Sequence, residues 1–144
     1  MSMATNEVTI ERPPHDVFVF LADGENDPRW RPEVADVKRE SGEGAGAVFR
    51  QGVKGPMGKR VDADYRLTEY EPDSRLAFEV IAGPVRPHGR YELSPDGDGT
   101  RVRFTLECEL SGAKKLMMRR SVEKSMRDEV GNLERLKSVL EFRC

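Results

Sequence analysis

Gly112-Ala-Lys-Lys-Leu-Met-Met-Arg-Arg-Ser-Val-Glu-Lys-Ser-Met-Arg-Asp-Glu-Val-Gly-Asn-Leu-Glu-Arg-Leu-Lys-Ser-Val-Leu-Glu141 reads as one long amphipathic helix. Apolar residues recur at Met118, Val122, Met126, Val130, Leu133, Leu136 and Leu140, and steps of three and four are the α-helical period. About thirty residues at about 1.5 Å each make a rod of roughly 45 Å. A compact chain of this length has a radius of gyration of only about 14 to 15 Å. The helix therefore crosses the whole molecule, and its apolar stripe needs a surface to rest on. The residues before it supply strands. A curved sheet closed by one long helix is a container.

Working back toward the N-terminus, the period changes from four to two. Val102, Phe104, Leu106, Cys108 and Leu110 alternate with charged residues and threonine, the mark of a half-buried strand. Asp96-Gly97-Asp98-Gly99 before them is the strongest hairpin signal. Further strands carry Tyr91 and Leu93; Leu76, Phe78 and Val80; Val61, Ala63, Tyr65 and Leu67; Ala47 to Val53; and Val37. A short first strand holds Val8 and Ile10. Pro13-Pro14 then opens a helix with Val17, Phe18, Phe20 and Leu21 on its buried side. A second, very short helix starts at Asp27-Pro28, carries Trp30 and is limited by Pro32. Short turns join the six later strands, which predicts an antiparallel meander. The fold class is α+β, a seven-stranded antiparallel curved sheet around a long C-terminal helix, with two short helices after the first strand. Residues 1–144 form one domain.

Bulk composition excludes several functions. The chain has 24 Lys plus Arg against 26 Asp plus Glu, so it lacks the basic excess of a nucleic-acid binder. No stretch approaches the roughly 18 apolar residues of a membrane span. No signal peptide is visible at the N-terminus. Cys108 and Cys144 have no partner at metal-ligand spacing, which reads as reduced thiols in a cytoplasmic protein without a bound metal.

Several strings resemble the START-like (SRPBCC) superfamily of lipid-transfer and polyketide cyclase/dehydrase-like proteins. They are Ile10-Glu-Arg-Pro-Pro-His-Asp-Val-Phe-Val-Phe-Leu-Ala-Asp23, Trp30-Arg-Pro-Glu-Val34, Gly44-Ala-Gly-Ala-Val-Phe-Arg50, Thr68-Glu-Tyr-Glu-Pro-Asp-Ser-Arg-Leu-Ala-Phe78, Tyr91-Glu-Leu-Ser-Pro-Asp-Gly-Asp-Gly-Thr-Arg-Val102 and Asn132-Leu-Glu-Arg-Leu-Lys-Ser-Val-Leu-Glu141. Together they cover nearly the whole chain. The resemblance implies a helix-grip fold with a cavity between the sheet and the last helix, and no universal catalytic residues. It fixes architecture, while function must be argued from a site.

The long helix differs along its length. Its first half carries Leu116, Met117, Met118, Val122 and Met126; its second half carries Val130, Leu133, Leu136, Val139 and Leu140. Methionine adapts to irregular space, whereas leucine and valine pack in defined rotamers. The second half is expected to seal the core and the first to line a pocket. Tyr65, Phe78, Tyr91, Phe104, Leu106 and Cys108 face it from the strands. Tyr65 and Tyr91 would orient one polar group of a mostly hydrophobic molecule, enclosed by Phe78, Phe104, Met118, Val122 and Met126. The same residues would serve equally as plain core. Trp30 either closes one end of the cavity or anchors the core, and Met57 either gates the mouth or tips an exposed loop. In Ala47 to Val53, either Val48 and Arg50 or Phe49 and Gln51 face inward. The second pair is preferred, because an inward arginine needs a partner.

Enzyme chemistry has thin support. His88 is the better general-base candidate of the two histidines, with no carboxylate partner assignable by spacing. Asp62 and Asp64 read as outward and solvated. Gly-x-Ser-x-Gly, His-Glu-x-x-His and dinucleotide-loop patterns are absent. Lys114, Lys115, Arg119 and Arg120 at the helix start suggest either attraction for an acidic ligand head or peripheral contact with an anionic membrane, or a solvated face paired at helical spacing. The leading expectation is a cofactor-free protein that binds a hydrophobic or amphipathic small molecule such as a lipid or polyketide-like compound. A cyclase/dehydratase-like enzyme using the same cavity is the alternative. Ligand identity and oligomeric state stay open.

Overall fold

The computed structural model describes residues 2–110 and 112–142. The side chains of Lys114, Lys115 and Leu116, and all of Cys144, lie outside the described residues. The chain begins with β1 (Ser2–Ile10) and α1 (Pro14–Ala22), followed by a 3-10 turn at Gly24–Arg29. Then come β2 (Val34–Ser41), β3 (Val48–Lys54), β4 (Arg60–Asp62), β5 (Tyr65–Glu71), β6 (Arg75–Val80), β7 (His88–Asp96) and β8 (Gly99–Cys108). Two helices close the chain, α2 (Ala113–Gly131) and α3 (Leu133–Glu141). The strands form one antiparallel sheet in the order β1-β8-β7-β6-β5-β3-β2, with β4 beside β3. Helices α2 and α3 lie against β1. Val130, Leu133, Leu136 and Leu140 are buried, so the second half of the C-terminal rod seals the core as its residue types predict.

Four elements differ from the sequence expectation. Strand β1 starts at Ser2 rather than near Val8, and pairs with β8 from Ser2–Cys108 to Ile10–Thr100. Its first inward residues are Ser2 and Ala4, both buried but too small to write an apolar signal. The expected strand through Val61 and Leu67 is split into β4 and β5, which occupy successive positions along the same edge of β3. At the break the backbone N–H of Gln51 donates to Asp64 Oδ1 at 3.0 Å. A carboxylate thus replaces a ladder partner, and Asp64 is not merely a solvated outward acid. The alternation survives the break: Tyr65 and Leu67 remain buried. The turn after α1 begins at Gly24, before Asp27, because the Asp23 carboxylate accepts the Glu25 N–H at 3.1 Å. Trp30 therefore follows the turn instead of riding on it.

The long helix is also interrupted at Asn132. The Asn132 N–H donates to the Glu129 carbonyl at 3.0 Å, a tighter three-residue turn. Asn6 Nδ2 donates to the Val130 carbonyl at 3.0 Å, and Asn132 Nδ2 donates to Glu33 Oε2 at 2.8 Å. Side chains from β1 and from the approach to β2 thus hold the break, beside a Gly131 of weak helix propensity.

Candidate functional site

Five strands each contribute one aromatic ring to a continuous belt on the inner face of the sheet. Phe49 of β3 stacks on Tyr65 of β5 at 5.1 Å, and these two are directly opposed in register. Tyr65 meets Phe78 of β6 edge-on at 5.7 Å, and Phe78 meets Tyr91 of β7 at 6.0 Å. Tyr91 stacks on its register partner Phe104 of β8 at 4.4 Å. The inward preference for Phe49 and Gln51 is the observed phase: both are buried and Arg50 is exposed. Two glycines make room. A Cβ on Gly89 would come within 2.8 Å of Phe78 and Leu106, and one on Gly24 would come within 2.0 Å of the Tyr65 hydroxyl oxygen.

Between this belt and the first half of the C-terminal rod lies a cavity of about 400 Å³, within the size range of small-molecule sites. Met118, Val122 and Met126 line it from α2, and Tyr65, Phe78, Tyr91, Phe104 and Leu106 from the sheet. Val80, Val85 and Pro87 extend the apolar wall. Lys54, Pro84, Ser121 and Ser125 are lining residues that are also exposed, and they mark the mouth. The walls are overwhelmingly apolar except in one corner.

That corner is built by Asp27, Arg31, Gln51, Tyr65 and Glu129, all of which line the cavity. Arg31 sits at its centre. Its Nε donates to Glu129 Oε2 at 3.0 Å and its Nη2 to Glu129 Oε1 at 2.7 Å. Its Nη1 donates to Asp27 Oδ2 at 3.2 Å and to Gln51 Oε1 at 3.0 Å. The Tyr65 hydroxyl donates to the same Asp27 Oδ2 at 2.8 Å. Gln51 is fixed in turn by its Nε2 donating to the Ala63 carbonyl at 3.0 Å.

Burial lifts the Asp27 carboxyl from 3.8 to about 6, against the opposing pull of the Arg31 charge and the Tyr65 hydrogen bond. Burial works to lower the Arg31 pKa, but Glu129 and Asp27 outweigh it and hold the guanidinium charged. Burial, reinforced by the nearby Asp27 charge, keeps Tyr65 protonated; burial chiefly does the same for Tyr91. Chemically, the corner offers carboxylate acceptors, the Tyr65 hydroxyl and an acid that titrates close to neutrality, with Tyr91 beside it on the cavity wall.

The sequence-derived residues separate cleanly. Tyr65, Phe78, Tyr91, Phe104, Met118, Val122 and Met126 come together around the cavity. Trp30 does not line it: the indole is buried behind the belt, 6.2 Å from Tyr91 and 6.3 Å from Phe104 between ring centroids. Met57 is 96% exposed at a loop tip, with φ of 59°, and takes no part in the wall. A left-handed backbone in a Gly/Pro turn aims it away. His88 lies on the outer face of the sheet, exposed, with Nε2 3.0 Å from Glu107 Oε2. Strand parity explains this, since Gly89 and Tyr91 occupy the inward positions. His88 therefore cannot serve the cavity. At the helix start, Arg119 is partnered by Glu123 and Lys124 by Asp128, the solvated-face arrangement. No described helix is long and apolar enough to cross a membrane.

Asp27, Arg31 and Glu129 were not foreseen. Glu129 had a legible signal: it lies three residues beyond Met126 and seven beyond Val122, an acid on the apolar stripe. Asp27 and Arg31 are spaced as neighbours on one helical turn, but nothing in the sequence aims that turn at β3 and α2.

A model of the family described as polyketide cyclase/dehydrase and lipid transport matches residues 1–141. A protein of Thermus thermophilus is similar in structure over 94% of this chain and 94% of its own, with a TM-score of 0.79 and 28% identity. The Zhui aromatase/cyclase from a Streptomyces species is similar over 98% of this chain and 94% of its own, with a TM-score of 0.81 and 19% identity. A START superfamily protein from Mycobacterium smegmatis is similar over 99% of this chain and 97% of its own, with a TM-score of 0.71 and 19% identity. At these identities the last two show the fold alone. No curated protein matches the sequence.

Proposed function

The chain belongs to the polyketide cyclase/dehydrase and lipid-transport family and has the helix-grip fold of START-like proteins, and from that premise we propose that it holds a hydrophobic or amphipathic small molecule between sheet and helix. The observation that carries this reading is the cavity of about 400 Å³, apolar on nearly every wall and polar in one corner. An apolar body would lie along the belt of Phe78, Tyr91 and Phe104 under Met118, Val122 and Met126. Its polar group would meet Tyr91 and the Asp27–Arg31–Glu129 corner. Methionine on the helical wall suits a ligand of irregular outline, because its thioether side chain re-packs at little cost.

The test is saturable uptake of an uncharged polycyclic aromatic by equilibrium dialysis. Met126→Trp fills the space beneath α2 and should weaken that uptake by about tenfold or more while the fold is retained. Undiminished uptake by a folded Met126→Trp protein would count against the cavity as the binding site. Native mass spectrometry of protein from its own cell would then identify the copurified compound.

A second reading is supported by Asp27. Its carboxyl, raised to about 6 and facing the cavity beside the Tyr65 hydroxyl, is suited to proton transfer near neutral pH. In a cyclase/dehydratase the Asp27 carboxylate would take a proton from carbon next to a ligand carbonyl, the carbanion would add to a second carbonyl of the same chain, and the alkoxide so formed would take the proton back from Asp27. Loss of turnover of a poly-β-ketone in Asp27→Asn, with binding retained, would support this reading over binding alone.

A further inference from the structure

The polar corner of the cavity is short of positive charge. Arg31 faces two carboxylates, Asp27 and Glu129. A guanidinium has five N–H groups, and four of those of Arg31 are committed: two to Glu129, one to Asp27 and one to Gln51. What would otherwise be an anion clamp is already clamped. The remaining charged lining groups, Lys54 and Asp62, have opposite signs, and Asp62 is tied to Arg60 at 2.6 Å.

The groups left open point the other way. Asp27 Oδ2 takes both hydrogen bonds made to that carboxylate, from Tyr65 and Arg31. Among the described residues, Asp27 Oδ1 and the Tyr91 hydroxyl have no hydrogen-bond partner. Oδ1 is an acceptor with no donor. The Tyr91 phenol, kept protonated by burial, is a donor with no acceptor. We propose that the cavity selects an uncharged ligand that pairs a hydroxyl with a carbonyl, the hydroxyl donating to Asp27 and the carbonyl accepting from Tyr91, and that it rejects carboxylic acids of the same carbon skeleton. The proposal rests on the cavity being a ligand site. An incoming carboxylate would meet an excess of negative charge in a poorly solvated space, where like charges are screened far less than in water. With Asp27 raised to about 6, an anion could also enter by driving a proton onto Asp27, but at neutral pH that step itself costs affinity.

Three probes with one carbon skeleton separate the possibilities: naphthalene, 2-naphthol and 2-naphthoate, each measured by equilibrium dialysis against the whole chain at neutral pH. There the phenol is uncharged and the acid ionised. The expected order has 2-naphthol binding tighter than 2-naphthoate by about tenfold or more, with naphthalene also retained. If 2-naphthoate binds as tightly as 2-naphthol or tighter while naphthalene binds, selection for uncharged ligands is overturned and the cavity reading stands. If none of the three binds, both fall. Glu129→Gln keeps the side-chain shape and removes one negative charge, so it should raise the affinity for 2-naphthoate relative to that for 2-naphthol by about tenfold. An unchanged preference in folded Glu129→Gln would overturn the charge argument. Should that variant fail to fold, the comparison on the unaltered chain decides alone.

Discussion

Arg31 and Glu129 are 98 positions apart in sequence and meet in a two-point clasp, Nε to Oε2 at 3.0 Å and Nη2 to Oε1 at 2.7 Å. The clasp ties the segment after the 3-10 turn to α2 across one end of the cavity. Both side chains are largely buried, at 13% and 18% exposure. Removing one partner of such a pair leaves the other charged and poorly solvated. Glu129→Ala is expected to cost about 3 kcal/mol in urea denaturation. The double variant Arg31→Met/Glu129→Met should lose less than the two single changes summed, because it strands neither charge.

The pH response follows from Asp27. In the unfolded chain this carboxyl titrates near 3.8, and in the folded chain near about 6. A folded pKa above the unfolded one means that the native state holds the proton more tightly. Its contribution to stability is fully present below about pH 4 and is lost as pH rises to about 6. The gap corresponds to on the order of 3 kcal/mol. Asp36, Glu107, Glu123 and Glu141 act in the opposite sense: each is held below its ordinary pKa, chiefly by a side-chain hydrogen bond, and loses its contribution as pH falls. The difference in unfolding free energy between the unaltered chain and Asp27→Asn isolates the one from the others. It should shift toward the unaltered chain by on the order of 3 kcal/mol between about pH 7 and about pH 4. A shift of the opposite sign would contradict the raised carboxyl.

His88→Ala tests the outer face. The His88–Glu107 pair is exposed on the histidine side, and such pairs contribute about 0 to 1 kcal/mol. Stability should change by less than about 1 kcal/mol, and uptake of the naphthalene probe should be unaltered. A clear loss of binding would mean that the two faces of β7 communicate.

Gly131→Ala concerns the helix break. Gly131 is helical, and a Cβ there would meet no atom within 4 Å. Alanine removes unfolded-chain freedom and improves helix propensity without a clash. Thermal unfolding should show a gain of about 0.5 to 1 kcal/mol, or roughly 1 to 4 °C in Tm. A loss would indicate that the break at Asn132 depends on glycine beside it.

The sheet, its antiparallel order and the C-terminal rod were legible because each rests on a period repeated over many residues. Eight of the cavity-lining residues, Leu106 among them, were legible for the same reason: parity along a strand or phase along a helix names a face. The polar corner was largely hidden. Asp27 and Arg31 belong to a six-residue turn and the residues just after it, too short for a period to declare a face. Their meeting with Gln51 and Glu129 is a tertiary event. Strand β1 was underestimated because Ser2 and Ala4 are buried by pairing rather than by bulk. Trp30 and Met57 were drawn toward the cavity by residue type, where burial behind the belt and a left-handed loop residue decided otherwise.

The indole of Trp30 stands one ring behind the cavity wall, in edge contact with Tyr91 and Phe104. It is the sole tryptophan of the chain. The molecule thus carries a single indole, which can be excited apart from its three tyrosines, in contact with rings that a guest would touch. Occupancy can be followed as a change in its emission, without a label and without altering a residue that borders the hollow.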